Sequence, residues 1–105
     1  MRKYRNKIVT IDGRKFQSQK EGLHYLCLKE LQEKGTIQNL QCQTKLDFKI
    51  DGKHIFNYLA DFSYEDEFGM HYIDVKSEAT AKLPLFKLKK KLIEAQHHIE
   101  IEIVI

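Results

Sequence analysis

Between positions 45 and 76 the chain reads as two successive hairpins, and no other feature limits its fold so tightly. Leu46, Phe48 and Ile50 alternate with Lys45, Asp47 and Lys49. A period of two sets one strand face on a core and the other toward water. Asp51-Gly52 then turns the chain. A second strand is expected over 55–64, the polar run Glu65-Asp66-Glu67-Phe68-Gly69 forms its tip, and a third strand covers 70–76. Strands joined by turns this short must pair antiparallel, and the resulting sheet needs a cover.

Two helical segments supply candidates for that cover. Ser18 and Glu21 have the S-x-x-E spacing that opens a helix. Leu23, Leu26, Cys27 and Leu31 follow at helical spacing, with Gly35 as a stop, so a helix is expected over 19–34. Pro84 stands where helices begin, and behind it Leu85, Leu88, Leu92 and Ala95 mark one face. Ile99, Ile101 and Ile103 alternate with Glu100 and Glu102 as a last strand. Before the first helix, Lys7 to Ile11 looks extended and Asp12-Gly13 turns. The expectation is one α/β domain with an αβββαβ core, a mixed central sheet and a short N-terminal extended segment.

At 105 residues with 42% hydrophobic content, the chain can bury one modest core, and pairing with a second copy would add to it. No run approaches the ~18 apolar residues that span a bilayer, and the charged start lacks the apolar run of a signal peptide. A soluble cytoplasmic protein is the default. Cys27 and Cys42 form no metal-binding cluster; buried reduced thiols are expected, not a zinc site. The net charge of +3 is unevenly spread: residues 1–20 carry seven Lys/Arg against the single Asp12, and residues 82–91 carry Lys82, Lys87, Lys89, Lys90 and Lys91 with no acid. Such segments suit a phosphate-bearing partner, although solvated faces have the same composition.

The strand pattern brings acids together. Asp74 and Lys76, two apart on the third strand, share a face. If the hairpin tip centres between Glu67 and Phe68, Asp61 lies across from Asp74, and a slip of one residue would send it to the other side. Facing carboxylates repel, and a divalent cation is the economical remedy. Mg²⁺ takes a few carboxylate oxygens and completes its shell with water and phosphate. Lys76 beside it could orient a water or neutralise phosphate charge. These are the parts of a phosphodiesterase.

The same residues carry a family resemblance. Asp61 in Y-L-A-D-F-S-Y, D-x-K in Y-I-D-V-K-S and Glu21 in F-Q-S-Q-K-E-G-L-H-Y-L resemble the PD-(D/E)XK nuclease superfamily. With F-K-L-K-K-K-L they resemble, more narrowly, a small phage- and prophage-borne family of predicted nucleases catalogued as a domain of unknown function. The likeness runs from Phe16 to the C-terminus. It implies Mg²⁺ or Mn²⁺ dependence, with Asp61, Asp74 and Glu21 as metal ligands and Glu21, Asp61, Asp74 and Lys76 as the catalytic set. It also implies endonucleolytic cleavage of DNA, and related phage enzymes act on branched DNA such as Holliday junctions as homodimers. Departures are Ala60 in place of the superfamily's proline, Asp74 in place of Glu, Ile73 where narrow-family members often carry a second acid, and Gly22 inside a helix, where glycine costs about 1 kcal/mol.

Each candidate has a plainer reading. Glu21 could only close the capping box, and Asp74 with Lys76 could be a simple ion pair. Asp61, between Ala60 and Phe62, is an acid in an apolar strand and needs a partner. Gln43 is a further residue that the narrow family suggests for the site. His97-His98 lack the third ligand of an HNH-type nuclease and suit a helix C-terminus. Lys82, Lys87, Lys90, Lys91, Arg14 and Lys15 are the expected contacts to the DNA backbone, without the aromatic stripe of a base reader. The rival readings are a non-catalytic DNA-binding or replication accessory protein, and an interaction module built on the C-terminal strand.

Overall fold

The computed structural model describes residues 7–105, so the basic residues Arg2, Lys3 and Arg5 lie outside it. Strands β1 (Val9–Ile11) and β2 (Arg14–Phe16) form a small hairpin, followed by helix α1 (Gln19–Glu33). Strands β3 (Gln38–Ile50), β4 (Lys53–Asp66) and β5 (Gly69–Val75) come next, then the short α2 (Glu78–Ala81), α3 (Pro84–His97) and β6 (Ile101–Val104). The main sheet has the order β3-β4-β5-β6; β3, β4 and β5 pair antiparallel, and β6 runs parallel to β5. A parallel neighbour requires a crossover, and α3 provides it. The sheet is therefore mixed, as expected. The β1–β2 hairpin and α2 add to the expected order, and β3 starts well before its apolar alternation because its first half is nearly all polar.

The register is the one the site requires. Asp66 pairs with Gly69 and Phe62 with Ile73, so the tip centres between Glu67 and Phe68. Two apolar clusters sandwich the sheet. Phe16, Tyr25, Leu28, Ile37, Phe62 and Ile73 pack on the α1 side, and Leu46, Phe48, Tyr58, Ala60, Ile93 and Ile101 on the α3 side. Ile73 and its neighbour Tyr72 belong to different clusters, and adjacent strand residues point to opposite faces. Helices α1 and α3 thus cover opposite faces.

Strict alternation fails at one row. Leu40 and Cys42 on β3, with Phe62 and Tyr64 on β4, pack on the α1 side, whereas Leu46, Phe48, Tyr58 and Ala60, all even-numbered too, pack on the α3 side. The change falls between Cys42 and Thr44 on β3, and between Phe62 and Ala60 on β4. Gln43 there has φ 55°, a left-handed backbone that L-residues adopt at a cost. The pleat inverts at Gln43 and Asp61.

Three expectations are corrected. Leu23, Leu26 and Leu31 are exposed, while Tyr25 and Leu28 enter the core. Two of the three leucines of α3 are likewise turned out: Leu85 and Leu88 are exposed, Leu92 packs half-buried on the α3-side core, and Ile93 is the buried residue. Cys27, on the outer face of α1, is exposed rather than buried. The cause in α1 is Gly22. A Cβ there would stand 2.7 Å from Val9 Cγ2 and 3.1 Å from Ile11 Cδ1, so the β1–β2 hairpin packs on the glycine side and fixes which face of the helix is inside. In α3, Gln96 bonds Lys49 N at 2.8 Å and His97 Nε2 donates to the Asp47 carbonyl at 2.6 Å, which locks the helix rotation and gives His97 a structural partner. Glu94 accepts from both Lys90 Nζ at 2.9 Å and Ile101 N at 2.7 Å. No helix of the described residues is long and apolar enough to cross a membrane.

Candidate active site

The β4–β5 ladder stops at Phe62–Ile73; the next row would be Asp61 and Asp74. There the side chains take over from the backbone. Asp74 Oδ1 accepts the N–H of Asp61 at 2.9 Å, and Asp61 Oδ2 accepts the N–H of Val75 at 2.8 Å. Each carboxylate satisfies an amide that the ladder would otherwise have paired. The remaining oxygens take side-chain donors: the Tyr58 hydroxyl donates to Asp74 Oδ2, and Gln43 Nε2 approaches Asp61 Oδ1 at 3.4 Å. The inverted pleat makes this possible by bringing residues of both strand parities to one place.

Beside this row lies a cleft of about 550 Å³, bordered by Lys20 and Glu21 from the first turn of α1, Asp61 from β4, Lys76 and Ser77 after β5, and Thr80 from α2. Serine caps set both helix starts: Ser18 Oγ accepts from Glu21 N, and Ser77 Oγ from Thr80 N, each at 3.1 Å. Glu21 (5% exposed), Asp61 (8%) and Asp74 (0%) are the buried acids of the described residues. Of the four candidate residues, Glu21, Asp61 and Lys76 therefore border the cleft, and Asp74 stands directly behind Asp61, out of reach of solvent.

Burial sets the electrostatics. The Glu21 carboxyl is pushed up to about 7, by loss of water first and by the neighbouring Asp61 second, with the Gln17 backbone amide and Lys76 opposing. Asp61 is also raised, by burial above all, against the Val75 N–H that lowers it. Burial and Asp74 push the Tyr58 hydroxyl far upward, so it stays a donor. The capping box is made on one side: Ser18 receives the Glu21 amide, while the Glu21 carboxyl, in the lining of the cleft, is held lower by the backbone amide of Gln17, one residue before the cap. Among the described residues no ion pair holds Lys76; its ammonium rests over the Phe86 ring, 5.4 Å from the centroid.

Among the described residues, no three His, Cys, Asp or Glu side chains stand in a metal-holding group. The donor set nevertheless fits Mg²⁺ in kind. Glu21 and Asp61 are hard oxygen donors on one cleft with excess negative charge, and Mg²⁺ needs only one or two carboxylates because it keeps much of its water. The expected DNA contacts divide. Arg14, Lys15, Lys87 and Lys91 are exposed. Lys82 pairs with Glu78 at 3.1 Å, and the half-buried Lys90 with Glu94 at 2.9 Å, so neither is free to reach outward without breaking a bond.

Sequence reasoning missed Tyr58 and Lys20. A period-two reading places Tyr58 on the face opposite Asp61 and away from Asp74; the inversion at Gln43 brings its hydroxyl back. Lys20 could have been noticed as the neighbour of Glu21 at the start of α1.

An α/β sandwich with acids at a broken ladder and a basic cleft edge is what the fold and site define. The chain matches, over residues 1–104, the family described as "Protein of unknown function (DUF1064)", and it belongs to that family. No curated protein and no solved structure matches it.

Proposed function

We propose that this protein is a Mg²⁺- or Mn²⁺-dependent DNA endonuclease of the PD-(D/E)XK type, acting in the cytoplasm as a homodimer on branched or duplex DNA without sequence preference. One observation carries the reading: two buried carboxylates, Glu21 and Asp61, border one cleft with Lys76, which makes no ion pair among the described residues, and a third, Asp74, stands directly behind Asp61. Burying three acids is costly; the amides of Asp61 and Val75 offset part of that cost for Asp74 and Asp61, and a cation at the cleft would offset the rest.

Asp61 from β4 and Glu21 from the α1 wall would hold the metal, and Asp74, behind them, would hold Asp61 in place through its amide. The ion would supply a water of lowered pKa and neutralise charge on the phosphate. The protein's own groups do the rest. Val75 N–H and Gln43 hold Asp61, while Asp61 N–H and Tyr58 hold Asp74, so neither carboxylate has to reorganise during reaction. Lys76 donates to the attacking water or to a non-bridging phosphate oxygen. Glu21, on the α1 wall of the same cleft, is the acid placed to take the proton that the water gives up. Arg14, Lys15, Lys87 and Lys91 hold the DNA backbone by charge, as expected for recognition of shape.

The test is incubation of the purified protein with supercoiled, linear and four-way-junction DNA in Mg²⁺ and in Mn²⁺, with Lys76→Ala alongside. The reading predicts metal-dependent cutting by the wild type and little by the variant. Equal cutting by both would refute the mechanism. Salt-sensitive DNA binding with no cutting in either metal would leave a DNA-binding accessory protein.

A further inference from the structure

Helix α3 bears the basic residues Lys87 and Lys91, and its third residue, Phe86, reaches the site. The Phe86 ring lies 6.3 Å from the ring of Tyr58, and Tyr58 donates to Asp74. The same ring receives the Lys76 ammonium, 5.4 Å from its centroid. That distance is within the range of cation–π attraction. One side chain thus touches both the tyrosine that fixes Asp74 and the only lysine of the D-x-K pair.

The geometry points to Phe86 as a positioning residue, which holds the Lys76 ammonium at the cleft by its π face and ties the lysine-rich helix to the catalytic row. The assignment rests on the nuclease reading above. Its physical basis is the destination of Lys76. A lysine on a flexible four-carbon stem beside Asp61 and Glu21 would be expected to collapse onto a carboxylate. Here the ammonium is kept from doing so and is available to a phosphate or a water. Pro84 at the start of α3 and the sequence neighbours of Phe86 are exposed, and the ring itself is half-buried against the α3-side core. The ring is carried by the first turn of α3. The same turn is where Lys87 would meet DNA, so contact with the backbone and placement of Lys76 involve one rigid element.

The experiment compares Phe86→Leu, which keeps bulk without a π face, with Phe86→Tyr, which keeps the ring. Two properties are read: steady-state cleavage of junction DNA in Mg²⁺, and the NMR shift of the Lys76 ε-methylene protons, which the ring current of Phe86 displaces upfield. For Phe86→Leu the expected result is a kcat lowered about tenfold with KM for DNA little changed, because misplaced groups lose rate before binding. The upfield shift should vanish in the same variant, and Phe86→Tyr should regain both. A folded Phe86→Leu protein that cleaves like the wild type overturns the assignment, as does a wild type without the upfield shift. Should Phe86→Leu not fold, Phe86→Tyr decides: loss of the shift, or of kcat, despite a retained ring overturns it. A wild type that cuts no DNA in either metal is a different failure: it removes the nuclease reading and this assignment together.

Discussion

The amide of Asp61 donates to the carboxylate of Asp74 at 2.9 Å, across the place where the β4–β5 ladder has just ended. Two acids that should repel are joined through the backbone of one and the side chain of the other. The arrangement fixes Asp74 fully inside the protein, with Tyr58 on its second oxygen. Both oxygens are acceptors.

Asp74→Asn therefore cannot be silent in stability. An amide offers one acceptor oxygen and one NH₂: with the oxygen on Asp61 N–H the NH₂ can donate to Tyr58 Oη, but the Tyr58 hydroxyl proton then loses its acceptor. A loss of about 1–3 kcal/mol is expected from an unsatisfied buried group, read as a lower urea midpoint with an unchanged slope. A midpoint equal to that of the wild type would show that the two bonds are not made.

Gly22 gives an opposite lesson about helix propensity. Alanine should gain up to about 1 kcal/mol in a helix interior. Its methyl group would enter the space of Val9 and Ile11, at 2.7 and 3.1 Å. Crowding of this kind costs about 1–3 kcal/mol, so Gly22→Ala is expected to lower thermal stability. A rise in the unfolding temperature would mean that the β1–β2 hairpin yields freely.

How far the sequence shows all this depends on which physical cue was local. The hairpin register follows from the turn residues alone, and with it the juxtaposition of Asp61 and Asp74 (Asp66 pairs with Gly69 as the tip requires). The capping serine and the αβββαβ order were equally local. Leucine spacing located both helices but not their inward faces. In α1 the rows Leu23, Leu26, Leu31 and Tyr25, Leu28 are both apolar, and a glycine, invisible to a hydrophobic pattern, decides between them. Tyr58 was hidden for another reason. Period-two counting assumes an unbroken pleat, and a left-handed Gln43 inverts it.

Gln43 itself offers a direct probe of that strain. Replacing it by glycine removes the cost of a left-handed L-residue, about 1–2 kcal/mol, less some entropy in the unfolded chain. Gln43→Gly should thus be more stable by about 0.5–1 kcal/mol and yet cut DNA more slowly, since Asp61 loses its side-chain donor. Greater stability with undiminished cleavage would exclude a role for the amide.

The acids also make stability fall with pH. Glu21 titrates near 4.5 when unfolded and about 7 when folded. Between those values the folded protein binds the extra proton, so unfolding releases it and stability declines as pH rises. Asp61 is shifted in the same direction. The metal-free protein should lose unfolding free energy across pH 4.5 to 7, and Glu21→Gln should reduce that loss and be the more stable protein at pH 8. Burial lowers the His24 imidazole, which contributes with the opposite sign in the same window. The Glu21 contribution is therefore the difference between the wild-type and variant profiles, and a Glu21→Gln profile parallel to that of the wild type would contradict the burial of Glu21. Added Mg²⁺ should stabilise most at the alkaline end, where the carboxylates are ionised.

Asp61→Asn is the most direct test of the hydrolytic centre, because Asp61 both borders the cleft and faces Asp74. The measurement is nicking of supercoiled and four-way-junction DNA in Mg²⁺ by wild type and variant, each first shown to be folded. The account predicts metal-dependent cleavage by the wild type and a fall of about a hundredfold or more in the variant. Cleavage at equal rates by the two proteins would contradict it.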